Sequence, residues 1–272
     1  MKLAAAGMLL VFASNLHAQH RRPAVAEGRV SEAVPVVDLP SLTGAFPPTP
    51  NLVKSSQPLN PVSVNELLIP PKAAKEFNRS EKALQTGDLR ASVAHLEKAV
   101  QIYPQYLLAH NALGMHCIKL GEYQKALGAF QSALAIDPLS AQTYQNLSLA
   151  FFFLHDYASS ETAARRSLEL APQQIPPRYL LGRALIAQQH FTPEATQMLL
   201  QSEDLFPNAS LVLAHIQLSQ DNTQQVVAEL RHYLKAPVEE DNRQKAECWL
   251  ANLTNSIAPV SCSGIKIPPN FQ

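Results

Sequence analysis

Residues 107–138 read LLAHNALGMHCIKLGEYQKALGAFQSALAIDP, and this stretch contains two helical patterns separated by a break. The first half places Leu113, Gly114 and Cys117 on one helical face, after which a glycine at Gly121 interrupts the pattern. In the second half small and aromatic residues follow the spacing of one buried helical stripe. Pro138 then closes the unit, because proline cannot continue a helix. The stretch therefore predicts a helix, a turn and a second helix.

The same unit recurs along the chain with a nearly constant period. Pro104, Pro138, Pro172 and Pro207 follow one another at intervals of 34, 34 and 35 residues. Other positions repeat in phase with them, namely Leu113, Leu147 and Leu181, each followed by a small residue at Gly114, Ser148 and Gly182. A fixed period of this length predicts a repeat protein whose units cannot bury a core alone and must stack.

These residues resemble the tetratricopeptide repeat, whose pattern contains Leu-Gly, then Ala-x₃-Phe, then Pro. Here the match reads Leu113-Gly114, then Ala126 and Phe130, then Pro138. The resemblance covers four consecutive units and implies an all-α fold. The expected architecture is a right-handed α-solenoid of stacked helix-turn-helix pairs that ends in a C-terminal capping helix.

The period also predicts where the units begin and end. We predict a solenoid over residues 72–254, with repeats at 73–106, 107–140, 141–174 and 175–209, a degenerate pair at 210–236, a capping helix at 239–254 and a tail at 255–272. The interval of 35 residues before Pro207 places one extra residue in the turn at 191–193 of the fourth unit.

The N-terminal residues have a different character from the repeats. Residues 1–18, MKLAAAGMLLVFASNLHA, combine one lysine, a short apolar run and a final alanine, which is typical of a secretory signal peptide. Residues 19–61 are rich in proline and are predicted to be a disordered spacer, followed by a docking segment at 62–71. We expect an exported bacterial protein, periplasmic or secreted. The alternative is an uncleaved N-terminal membrane anchor.

Composition and motifs argue against several classes of function. The chain has 22 Lys and Arg residues and 22 Asp and Glu residues, so no net charge favours nucleic acid as a partner. Its nine histidines are scattered, with no i, i+4 pair, and neither C-x₂-C nor G-x-S-x-G occurs. We therefore predict no catalytic residues, no metal site, no cofactor and no small-molecule substrate.

The three cysteines allow two interpretations. Cys117 lies on the inward face of its predicted helix and is expected to be a small buried residue. Cys248 and Cys262 could form a disulfide if the chain reaches an oxidising compartment. Whether they are bridged is left open by the sequence.

The resemblance implies that the first helix of each pair lines a concave groove that binds a protein or peptide. The residues projected toward this groove are Phe77, Glu81, Asn111, Met115, Ile118, Gln142, Gln145, Asn146, Tyr179 and Arg183, together with Leu149 and Phe152. For the apolar members the alternative is a place in the core between repeats. One subtype of the family grips an acidic tail with cationic groove residues, and the corresponding positions here lack them.

We hypothesise a non-catalytic interaction scaffold or adaptor of the cell envelope or secreted space. The alternative is a membrane-tethered structural or assembly factor that acts through the outer face of the solenoid and the proline-rich arm. In that case the N-terminal segment would remain in the membrane.

Overall fold

The computed structural model describes residues 69–254, and this part of the chain forms eleven α-helices without a strand. The helices are α1 (Pro71–Gln85), α2 (Leu89–Ile102), α3 (Leu107–Lys119), α4 (Tyr123–Ile136), α5 (Ala141–Phe153), α6 (Tyr157–Leu170), α7 (Ile175–Ala187), α8 (Pro193–Leu200), α9 (Asn208–Ser219), α10 (Thr223–Lys235) and α11 (Glu240–Leu253). The predicted signal peptide, the spacer, all but the last residues of the docking segment, and the C-terminal tail lie outside the described residues.

Local sequence explains where many of these helices begin. The carboxylate of Asp88 accepts a hydrogen bond from the backbone N–H of Ala91 at 2.9 Å, and Asp156 accepts one from the N–H of Ser159 at 3.1 Å. Each aspartate thereby satisfies a donor that has no partner within its own helix. Proline stands in the first turn of α1, α7 and α8, where its missing N–H costs nothing.

The helices of the first three pairs are joined by tight turns of three residues, at 86–88, 120–122 and 154–156. Each turn reverses the chain through one residue with positive φ, which is Gly87 at 80° and Gly121 at 77° in the first two. The third turn uses His155 at 60° in the same role. Glycine adopts this conformation freely, whereas a residue with a Cβ adopts it at a cost.

The helices stack in chain order, each packing against the one before and the one after it. The core lies between them and contains fully buried side chains such as Leu96, Phe130 and Leu199. The small residues of the repeat stand where two helices meet most closely. A Cβ on Gly114 would lie within 2.8 Å of three ring carbons of Phe130, so only glycine fits there. This arrangement confirms the all-α solenoid of stacked helix pairs.

Two of the small positions are occupied by serines that bond across the pair. Ser92 Oγ on α2 donates to the carbonyl of Ser80 on α1 at 2.8 Å, and Ser148 Oγ on α5 donates to the carbonyl of Ser160 on α6 at 2.9 Å. These two pairs occupy equivalent positions two repeat periods apart. Their hydroxyls remain hydrogen-bonded in the core, which burial requires.

The fourth unit departs from the regular pattern. Five residues, 188–192, connect α7 to α8, in place of the three that connect the earlier pairs. The sequence predicts one extra residue in this turn, whereas the structure has two. Helix α8 begins late in its repeat and is only eight residues long. Residues 201–205 then form a turn instead of continuing the helix.

The last helix covers the end of the core. Trp249 of α11 is buried together with Val226, Leu230 and Tyr233 of α10 and with Ala214 of α9. The other side of α11 carries exposed charged residues, including an Asp241–Lys245 ion pair at 2.6 Å. A terminal element with one apolar and one polar face closes an otherwise open stack. No helix among residues 69–254 is long and apolar enough to span a membrane.

Candidate functional site

The first helices of the central pairs converge on one side of the stack. Helix α3 contacts α5 and α5 contacts α7, in addition to the contacts between chain neighbours. Within residues 69–254, the second helices α4, α6 and α8 do not approach one another to the same extent. The first helices of these three pairs therefore lie closer to one another than the second helices do. We call the solvent-facing side of α3, α5 and α7 the inner face.

The structure divides the ten residues predicted for the groove into an accessible and a buried set. The accessible or half-buried set is Phe77, Glu81, Asn111, Met115, Gln142 and Arg183. The buried set is Ile118, Gln145, Asn146 and Tyr179, and Leu149 and Phe152 are buried with it. Tyr179 has no exposed surface at all, so it cannot contact a partner in this conformation. The buried members belong to the packing between repeats, and this corrects the sequence-based assignment for them.

Amide side chains of the inner face are held by hydrogen bonds, one between helices and one within a helix. Thr143 Oγ1 on α5 donates a hydrogen bond of 3.1 Å to Asn111 Oδ1 on α3. Gln142 Nε2, at the exposed start of α5, donates to Asn146 Oδ1 one turn further on at 3.1 Å. Asn111 and Gln142 are thus oriented by their neighbours and keep further hydrogen-bonding atoms.

Arg183 is the cationic residue of the inner face. Its guanidinium lies 5.0 Å from the ring centroid of Phe152 on α5 and 5.6 Å from that of Tyr179 on its own helix. It also donates a hydrogen bond of 2.9 Å to the hydroxyl of Tyr179. Within the described part of the chain no carboxylate forms an ion pair with Arg183. The aromatic rings therefore position a charge that can meet an anionic group.

On the second helices several charged side chains form ion pairs. Arg165 on α6 bonds Glu161 on the same helix at 2.9 Å and Glu194 on α8 at 2.6 Å. These bonds lower the pKa of the Glu194 carboxyl, chiefly through hydrogen bonding to Arg165. Lys125 on α4 likewise pairs with Glu97 on α2. Two of these ion pairs, Arg165–Glu194 and Lys125–Glu97, thus connect neighbouring repeats.

A group of potential metal ligands lies elsewhere, between the turn after α8 and helix α10. One ligand atom from each of Glu203, Glu229 and His232 lies within 4.8 Å of the other two. Burial, with the neighbouring Glu203 carboxylate, raises the pKa of the Glu229 carboxyl to about 7. The sequence predicts no metal site and misses this grouping, because Glu203 is far from the other two along the chain. The i, i+3 spacing of Glu229 and His232 was the one sequence signal that could have indicated two ligands on one helical face.

His116, Cys117 and Cys248 are buried in the helices of the described part. His116 is buried and its Nδ1 lies 3.0 Å from Ser92 Oγ, and burial lowers the pKa of its imidazole to about 4. Cys117 is a buried, unpaired thiol whose pKa is raised to about 11 by burial. Cys248 is buried in α11, and its predicted partner Cys262 lies outside the described residues. The disulfide between them stays a prediction.

Comparison with known proteins connects this geometry to a family. Two family models, both described as tetratricopeptide repeat, match residues 107–140 and residues 141–174. A curated relative, Protein CTR9 homolog of Arabidopsis thaliana, is 34% identical over 71 residues, which are 26% of this chain and 6% of that protein. The chain thus spans only a small part of the curated relative it matches.

Solved structures with the same architecture are similar over most of their own length. PilW, described as a widely conserved type IV pilus biogenesis factor, gives a TM-score of 0.61 at 18% identity, covering 75% of this chain and 98% of that one. MamA from Desulfovibrio magneticus RS-1 gives 0.56 at 17% identity, covering 61% and 96%. A thermophilic TPR protein of Thermus thermophilus gives 0.52 at 20% identity, covering 64% and 96%. At these identities the likeness concerns the fold.

Proposed function

We propose that the chain, in which tetratricopeptide repeats match at residues 107–140 and 141–174, is a non-catalytic scaffold that binds a segment of a partner protein on its inner face. Repeats of this kind generally act as protein-interaction modules and use the extended surface that stacking creates. The observation that carries the proposal is the convergence of α3, α5 and α7, which gathers oriented amides and the unpaired Arg183 on one side.

The accessible residues indicate what chemistry a bound segment would meet. Asn111 and Gln142 offer amide groups that can bond the backbone of a peptide. Met115, one turn after Asn111 on α3, supplies a flexible apolar contact. Arg183 offers a fixed cation to a carboxylate of the partner. The combination fits a peptide segment that carries one acidic side chain or terminus among polar and apolar residues.

We further propose that the protein is exported and works in the cell envelope or outside the cell. The support is the signal-like sequence of residues 1–18. N-terminal sequencing of the protein isolated from its native host tests this point. A mature chain that begins near residue 19 is expected, and a chain that begins at Met1 in the membrane fraction would favour the tethered alternative.

The inner-face assignment is tested by pull-down with the purified chain. We expect Arg183→Ala to weaken capture of the native partner about tenfold or more, because a charge-assisted hydrogen bond is lost. Asn111→Ala and Gln142→Ala are expected to add to the loss.

Arg166→Ala is the matched control for this experiment. Arg166 lies on the second helix α6, with its guanidinium 5.9 Å from the Tyr144 ring centroid and an ion pair to Glu169 at 2.7 Å. Like Arg183→Ala, Arg166→Ala removes a positive charge and a contact with an aromatic ring. It does so on a second helix, away from the inner face. Equal capture by wild type and by the Arg183 variant would show that the partner binds elsewhere.

A further inference from the structure

We propose that Glu203, Glu229 and His232 bind a divalent transition-metal ion, with Zn²⁺ the best fit, and that this ion fastens the turn after α8 to helix α10. The site is separate from the inner face and does not depend on the proposed function. It would join the fourth repeat to the pair that follows it.

The distances among the donor atoms suit a single ion. Nδ1 of His232 lies 3.3 Å from Oε1 of Glu203, and a ligand atom of Glu229 lies within 4.8 Å of both. Two donors bound to one tetrahedral zinc at about 2.0 Å each are about 3.3 Å apart. The spacing of Glu203 and His232 therefore suits one ion, and Glu229 lies near enough to be its third ligand.

A helix holds two of the ligands, and a hydrogen bond holds the third. Glu229 and His232 are separated by one helical turn on α10 and so lie on the same face. Glu203 comes from the turn at residues 201–205, and Ser210 at the start of α9 holds it with a hydrogen bond of 2.6 Å. The Ser210 hydroxyl also lies 3.2 Å from Nδ1 of His232. The Ser210 hydroxyl therefore positions both ligands from beside the site.

The negative charges of the group favour binding of a cation. Glu203 and Glu229 are neighbouring carboxylates, and the Glu203 side chain is only 12% exposed. Within the described part of the chain neither carboxylate forms an ion pair with a lysine or an arginine. Two adjacent carboxylates repel each other when both are charged, and a bound divalent ion would remove that repulsion.

The donor set selects among metals. One imidazole nitrogen with two carboxylate oxygens favours Zn²⁺ and its neighbours among the first-row divalent ions. Ca²⁺ and Mg²⁺ prefer sites made entirely of oxygen. Because the ligands come from two elements, a bound ion links them in the folded chain only and should raise its thermal stability.

The test is Zn²⁺ titration of the full-length, chelator-treated protein by calorimetry, with thermal melts in Zn²⁺, in Mg²⁺ and without metal. We expect one ion per chain at this site and a higher melting temperature in Zn²⁺ but not in Mg²⁺. Glu229→Gln keeps the shape and removes the ligand charge, so we expect its Zn²⁺ affinity to fall tenfold or more. Without metal the same variant should melt at the wild-type temperature or above it, because carboxylate repulsion is gone.

Two further variants keep the result interpretable. His232→Gln should also lose tenfold or more in Zn²⁺ affinity. His95→Gln is the matched control, because His95 pairs with a single carboxylate, Glu76, at 2.7 Å and should leave this binding unchanged. The proposal is overturned if wild type shows no Zn²⁺ binding. It is also overturned if Glu229→Gln and His232→Gln bind Zn²⁺ as wild type does, since other histidines would then account for it.

Discussion

Single residues determine how closely the helices of this protein approach. Gly114 faces the ring of Phe130, and the equivalent Gly182 faces Leu199, in both cases with no room for a Cβ. Ser80 and Ser148 occupy the same repeat position in the other units and are buried there. The repeat position therefore tolerates a hydroxyl only where the facing helix leaves space for it.

Gly114→Ala tests this close contact. The added methyl group would overlap the ring of Phe130, and we expect the free energy of unfolding to fall by about 1–3 kcal/mol. Gly128→Ala is the matched control, because Gly128 is exposed on α4 with nothing within 4 Å of the added carbon. There the free energy should rise by about 0.5–1 kcal/mol. Urea unfolding measures both, and equal changes would rule out the contact.

The buried His116 predicts a specific pH dependence. Burial lowers the pKa of this imidazole from 6.5 to about 4. Between these values the unfolded chain binds the proton and the folded chain does not, so the contribution of His116 to stability falls as the pH falls. From pH 7.5 to pH 5 the loss should be about 2 kcal/mol.

Comparison with His116→Gln isolates this contribution. Glu229, whose pKa is raised to about 7, has the opposite pH dependence, because its folded form binds a proton first as the pH falls. The quantity to measure is therefore the difference in unfolding free energy between wild type and variant at each pH. From pH 7.5 to pH 5 the wild type should lose about 2 kcal/mol of unfolding free energy relative to the variant. A difference that stays constant would contradict a buried neutral imidazole.

At the scale of elements, the turns within pairs carry strain that the sequence only partly shows. Gly87 and Gly121 meet the demand for positive φ without cost, but His155, Gln189 and Asp221 meet it with φ of 60°, 62° and 56°. Each of these side chains must adopt the left-handed conformation that L-residues avoid. The turns of the third, fourth and fifth pairs are therefore less stable than they would be with glycine, as in the first two pairs.

Gln189→Gly is the cleanest test of this strain, because Gln189 is exposed at the end of α7. Relief of the left-handed conformation outweighs the extra flexibility of glycine in the unfolded chain, so we expect a gain of about 0.5–1 kcal/mol. Gly121→Ala, the reverse change, should cost about 1 kcal/mol. Thermal melts of the two variants should shift in opposite directions, and a shared direction would contradict the assignment.

The helices were predictable from sequence to the extent that local signals were strong. The sequence predicts a degenerate pair at 210–236, and α10 (Thr223–Lys235) forms its second helix, because Asn222 caps it and its apolar stripe is regular. The early end of α8 at Leu200 was missed. Nothing in the local sequence breaks the helix there, and the turn at 201–205 depends on how the longer 188–192 connection displaces α8.

At the scale of the whole molecule, the solenoid was predictable because its period repeats the same physical constraints in every unit. The candidate site was less predictable from the sequence. Projecting helices outward from their stripes cannot distinguish the inner face from the contacts between successive first helices, so Ile118 and Tyr179 were placed in the groove although both are buried. The Glu203–Glu229–His232 group depends on tertiary contacts between residues 26 and 29 positions apart and lies beyond any local pattern.

The proposal that partners bind the inner face is tested most directly by site-specific photo-crosslinking in the native host. A photoreactive residue replaces Gln142 on α5 in one variant and Gln131 on α4 in the other, both of which are exposed positions. We predict a discrete crosslinked partner from position 142 that is absent from position 131 and disappears when Arg183→Ala is added. A partner captured from position 131 alone would contradict the inner-face assignment.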